Sequence, residues 1–215
     1  VVTDRAARKE YVAAFREVVS RIAAALAGAP KRQLPVRMYV AGGAALHFYT
    51  GERISEDVDA VFSRRIALPE NLEVSYRDAD GAARLLYFDR QYNDTFGLLH
   101  EGAHDDSVPL AIDGVDPAVI EVRLLAPVDL AVSKIARLSD QDRADIAALA
   151  RLGLVAPRAL RHRAEEAMGG YVGDLDRLRN SIEIACRIAA EAAPAARPRR
   201  LPRGGQRRSS RSEGG

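Results

Sequence analysis

The sequence predicts a mixed α/β chain in which an N-terminal helix and a small mixed sheet are followed by a C-terminal helical bundle. Three observations carry this. Tyr11, Phe15, Val18, Ile22 and Leu26 recur every three or four residues; short β-branched and aromatic runs then alternate with Asp-Gly turns; and after Pro127 the helical period returns. The first helix is expected from about Asp4 to Ala27, ended by Gly28 and Pro30. "VRMYVAGG" gives an apolar strand that breaks at Gly42, "AALHFYTG" one or two helical turns stopped by Gly51, and "DVDAVF" a strand. Further extended segments are expected at "LEVSY", "ARLLYF", "VPLAI" and "AVIEVRLL", with turns at Asp80-Gly81 and Asp113-Gly114. Pro127 suits the first turn of a helix over "VDLAVSKIARL". Ser139 and Asp142 form a capping box for the next helix, which runs through Leu152 to Gly153. Two more helices follow, about Pro157 to Met168 and Val172 to Ala193. The expected divisions are thus 1–125 for helix plus sheet, 126–193 for the bundle, and 194–215 for a tail.

Of the 215 residues 47% are apolar, enough for a sizeable core. No apolar run approaches the ~20 residues of a membrane helix, and no basic-then-apolar leader pattern opens the chain. The expectation is a cytoplasmic protein with no membrane partner. A lone cysteine, Cys186, excludes an intrachain disulfide and a Cys-based zinc site; among alanines and isoleucines it reads as a small buried hydrophobe. The net charge of +2 conceals a split. Seven arginines and one glutamate lie from Pro194 onward, which leaves the body mildly acidic. That tail has the composition of a disordered segment, serving either as a tether for nucleic-acid phosphates or as a solvated terminus.

The chemistry concentrates between Val40 and Ala60. Strand side chains alternate, so Asp57 and Asp59 project from one face with Cα atoms ~6.6 Å apart; Arg53 and Ser55 share that parity. Two such carboxylates suit a pair of Mg²⁺ ions roughly 4 Å apart, the arrangement of in-line phosphoryl transfer. Gly42 and Gly43, lacking Cβ atoms, let the main chain approach a ligand closely, and the following helix offers free N–H groups to phosphates. Lys134 lies at the edge of its helix's apolar stripe, where a cation needs an anion, and Asp145 occupies the equivalent place on the next helix.

The order Gly42-Gly43, Asp57-x-Asp59 and then "LAPVDLAVSKIARLSDQDRADIAAL" resembles the AbiEii-like, abortive-infection nucleotidyltransferases of the DNA polymerase β superfamily. The resemblance covers about Val36 to Leu154. It implies a nucleotidyltransferase core that moves a nucleoside monophosphate from an NTP to an RNA or protein acceptor, with Mg²⁺ as cofactor. Members often act as toxins beside a cognate antitoxin protein. The implied roles are phosphate binding by Gly42, Gly43 and Lys134, metal binding by Asp57 and Asp59, and orientation of Lys134 or the acceptor by Asp145. Ala44 replaces the Ser or Thr of many members. The third carboxylate is assigned to Glu121 in "VIEVRLL", with Asp89 and Glu73 as rivals. An inactive, nucleotide- or RNA-binding relative acting as a regulatory partner is the alternative.

A third reading comes from "HEGAH", His100 to His104, which matches the His-Glu-x-x-His zinc-hydrolase pattern. Gly97, Gly102 and Pro109 make a helix there poor. No Gly-x-Gly-x-x-Gly and no Gly-x-x-x-x-Gly-Lys-Ser/Thr occurs, so dinucleotide redox chemistry and P-loop hydrolysis have no support.

Overall fold

The computed structural model describes residues 6–94 and 97–194. The arginines of the expected tail, Arg197 onward, lie outside the described residues. Helix α1 (Lys9–Leu26) buries Tyr11, Phe15, Val18 and Ile22, the stripe read from the sequence, against strands β4 (Glu73–Arg77) and β5 (Ala83–Phe88).

The central strand β1 (Val36–Val40) lies in a four-stranded sheet of order β3-β1-β7-β6, where β3 is Ala60–Phe62, β7 Ile120–Leu124 and β6 Val108–Pro109. It runs antiparallel to β3 and parallel to β7, with Val40 opposite both Ala60 and Leu124. "VPLAI" yields only the two residues of β6. Pro109 has no N–H to give, which suits it to an edge.

A second sheet has the order β2-β5-β4, with β2 being Asp57–Val58. The expected strand "DVDAVF" is therefore divided between two sheets, with Asp59 at the switch. Asp89 N–H donates to Val58 O at 3.1 Å in one sheet, while Ala41 N–H donates to Asp59 O at 2.8 Å beside the other. Polar and apolar residues alternate from Asp57 to Ala60, across the switch itself, so the pattern does not mark it.

Helix α2 (Gly42–Thr50) follows β1 directly and ends at Gly51, whose positive φ of 68° closes the helix. The bundle comprises α3 (Pro127–Val132), α4 (Asp140–Arg151), α5 (Pro157–Ala167) and α6 (Leu175–Ala192). Leu178, Ile182, Ala185 and Cys186 face inward from α6, which packs on α4 and α5. One continuous apolar core joins α1, both sheets and these helices. The helix expected to run to Leu138 stops at Val132. Ser139 is extended as the cap of α4 and accepts from the Asp142 N–H, so a helix cannot continue into it. The intervening turn tightens: Lys134 N–H reaches Ala131 O at 3.2 Å, Ile135 N–H reaches Val132 O at 3.0 Å, and Leu138 takes a φ of 48°. Ile135 is nevertheless buried, so the apolar period survives the loss of the helix. Among the described residues no helix is long and apolar enough to cross a membrane.

Candidate active site

A cleft of about 580 Å³ opens between the sheets and the bundle. Gly42, Asp57, Asp59 and Asp89 line one side; Lys134, Arg137 and Asp142 line the other. The expected acidic pair and the expected lysine thus face the same space.

The two glycines serve the acids directly. Gly42 has a φ of +56°, and a Cβ there would overlap the Asp59 carboxylate. A Cβ on Gly43 would overlap the Ser55 hydroxyl, which donates to Asp57 Oδ1. Ser55 is buried and, like Gly43, does not line the cleft. Its shared parity with Asp57 and Asp59 makes Ser55 a nucleotide-binding candidate in the sequence; its place is instead behind Asp57, fixing that carboxylate. Gly42→Ala is accordingly expected to destabilise the protein by about 1–3 kcal/mol and to displace Asp59. Gly28→Ala, in open space at ordinary φ, should change thermal stability little.

Burial, and then repulsion by Asp57 and Asp89, push the Asp59 carboxyl up to about 6; Lys134 and Arg137 act in the opposite direction. Glu121 has no part in this. It sits opposite Arg37 in the β7–β1 register, three residues before Val40, hence ~10 Å from the glycine turn along the strand. Arg37 at 3.2 Å and Arg123 both bind its carboxylate, and it lines a separate, largely apolar cavity of about 330 Å³. The structure therefore does not bring the expected third metal ligand to the other two. Glu73 is exposed on β4, separated from Asp57 by Tyr87 of β5, and does not line the cleft. Asp89, just past β5, is the rival that reaches the cleft, because β5 pairs in parallel with β2 and ends level with the acidic pair.

Lys134 and Asp145 meet as an ion pair at 2.7 Å, both buried. Asp145 also accepts from Arg53 at 2.9 Å and from Gln141 at 2.9 Å. Arg53 is held from behind. His47, fully buried, accepts from the Arg8 N–H through Nε2, so its protonated Nδ1 donates to the Arg53 carbonyl at 2.6 Å. Neither link is readable from sequence: parity groups Arg53 with Asp57 and Asp59 but names no partner for it, and His47 carries no signal.

Asp142 accepts both guanidinium bonds of Arg137 at 2.7 Å and closes the Ser139 capping box. Burial alone would raise its carboxyl; the bonds from Arg137 and Ser139 outweigh burial and hold it at about 2. Because the folded value lies below the unfolded one, this stabilisation is complete above about pH 4 and is lost as pH falls through about 2. Urea midpoints should drop over that range in the wild type and less so in Asp142→Asn, which starts from a lower midpoint.

The "HEGAH" segment is a run of turns rather than a helix. His104 stacks on Tyr39 at 4.4 Å and lies 3.0 Å from Asp94, whereas His100 accepts from Gly102 N–H at 2.9 Å and faces Glu166 at 3.8 Å. The zinc-hydrolase pattern is thus not assembled. Among the described residues no group of three or more His, Cys, Asp or Glu side chains is gathered closely enough to hold a metal ion alone. Two hard carboxylates still fit Mg²⁺, which is usually bound by one or two carboxylates completed by substrate phosphates and water.

A glycine turn laid over an acidic pair in a small mixed sheet, closed by a helical region that supplies a lysine, is a nucleotidyltransferase-like fold. Residues 17–185 match the family described as nucleotidyltransferase of unknown function (DUF6036), and the chain belongs to that family. Its general chemistry is nucleotidyl transfer; the match is to that family and not to the AbiEii-like branch in particular. No curated protein and no solved structure matches the chain.

Proposed function

We propose that the protein transfers a nucleoside monophosphate from an NTP to a hydroxyl of a macromolecular acceptor. The observation that carries this reading is the acidic pair Asp57 and Asp59 seated on the glycine turn and facing Lys134 across one cleft. Mg²⁺, held by Asp57 and Asp59, would supply Lewis-acid polarisation of the α-phosphate. The backbone at Gly42 and the first N–H groups of α2 receive phosphate oxygens. Lys134, positioned by Asp145, offsets negative charge on departing pyrophosphate. Asp89, rather than the Glu121 assigned from sequence, is the further acid on the wall of the acidic pair, although the three are not gathered into one metal-binding group. The acceptor hydroxyl forms the new bond at the α-phosphorus as the bond to pyrophosphate breaks, and its proton passes to a carboxylate on the acidic side. A resemblance to abortive-infection enzymes supports the further reading of a toxin paired with an antitoxin, checked by growth arrest on induction of wild type but not Asp57→Asn.

The scattered third carboxylate favours one alternative, a nucleotide-binding relative without turnover. Incubation with each α-labelled NTP, Mg²⁺ and either total RNA or cell protein separates the two. Label on an acceptor with wild type and none with Asp57→Asn is expected; equal labelling by both ends the transferase reading.

A further inference from the structure

A second groove, of about 420 Å³, adjoins the active-site cleft and shares Asp89 and Tyr92 with it. Its rim carries three guanidinium groups, Arg64 and Arg65 after β3 and Arg90 after β5. Arg64 and Arg65 are exposed and have no acidic partner among the described residues. Arg90 donates to the carbonyls of Pro69 and Glu70, which steady it without neutralising it. The arginines around the catalytic side differ: Arg53 is matched by Asp145 and Arg137 by Asp142. In the groove Phe62 stacks on Phe88 with ring centres 5.7 Å apart, and Tyr92 continues the aromatic lining to the cleft.

Unmatched cations beside partly exposed aromatic side chains are the combination that holds single-stranded nucleic acid: phosphates meet the cations and bases stack on the rings, a part open here to Phe62 and Tyr92, Phe88 itself being buried. A peptide strand added to the edge strand β3 would need main-chain partners instead, and three cations give it nothing. We propose that this groove seats the backbone of a single-stranded polynucleotide and leads its end to Asp57 and Asp59 as the nucleotide acceptor. The acceptor role rests on the transferase reading above; the seat does not.

The test uses the full chain with its seven tail arginines changed to serine, so that the tail cannot mask the groove. Labelled RNA and DNA oligomers of about twelve nucleotides are titrated by anisotropy in EDTA. The variant Arg64→Glu/Arg65→Glu is expected to weaken binding by ~10-fold or more, and to flatten log K against log salt by about 0.7 for each phosphate that the groove no longer neutralises. NTP affinity, measured separately, should not change, which establishes that the variant is folded. The RNA and DNA arms show which polynucleotide is preferred. Unaltered affinity and salt slope overturn the proposal, as does transfer to protein alone with the arginines irrelevant. Groove-dependent oligomer binding without any transfer upholds the seat and sinks the transferase reading; transfer to RNA unaffected by arginine reversal does the opposite.

Discussion

Asp59→Asn is expected to cut nucleotidyl transfer steeply and, at pH 7 without metal, to make the protein more stable. The two effects share one cause. Burial and the charges of Asp57 and Asp89 raise the Asp59 carboxyl to about 6, so keeping it ionised at neutral pH costs folding free energy. A raised acid loses stability for the fold as pH climbs from about 4 to about 6, and the cost remains above that. The neutral isostere removes it, for a gain of about 1–2 kcal/mol after allowance for solvent screening. Transfer should fall roughly a thousandfold, because the substitution removes one of two oxygen anions that stabilise several kcal/mol of developing charge through the cation. Paired measurements of urea unfolding and α-label incorporation at pH 7 check both halves. A variant that is less stable and still active would show Asp59 to be an ordinary structural acid.

Asp145→Ala is expected to cost about 3–5 kcal/mol, because it strips a buried lysine of its close anion. Lys134 then retains only Asp142, at 3.8 Å, and Arg53 loses its carboxylate. Against a total stability of about 5–15 kcal/mol such a loss leaves the chain near unfolding, so inactivity of this variant alone says little. The double variant Lys134→Met/Asp145→Leu separates structure from chemistry. Replacing both members of a buried pair by apolar residues of similar size restores most of the stability. Transfer should stay absent, since nothing then offsets the leaving pyrophosphate. Thermal unfolding and label incorporation on the single and double variants decide it; recovery of both together would reduce Lys134 to a structural role.

Much of this arrangement is legible in the sequence, and the parts that are not have physical reasons. The stripe of α1, the capping box at Ser139 and the segments of β4 and β5 follow from period, turn chemistry and propensity, all local properties. Asp57, Asp59 and Lys134 stand out because their spacing and placement are unusual for a core. Apolar flanks favour Glu121 over Asp89, but flanks report burial, not which end of a strand lies at the site. That choice depends on pairing: β7 puts Glu121 level with Arg37, while β5 carries Asp89 just beyond Phe88, the partner of Val58. Likewise the segment through Lys134 reads as one long helix because Ile135 and Leu138 keep the period, although the cap of α4 forbids it.

The short run from Asp57 to Phe62 belongs to two sheets at once, and Asp59 sits where it crosses. The acidic couple is consequently a rivet through both layers: neither layer can slide or tilt against its neighbour without tearing the Ala41 and Asp89 amides from their acceptors. On the proposed reading, any opening and shutting during turnover is expected on the opposite wall, where the lysine-bearing turn joins α3 to α4, with the carboxylates held still.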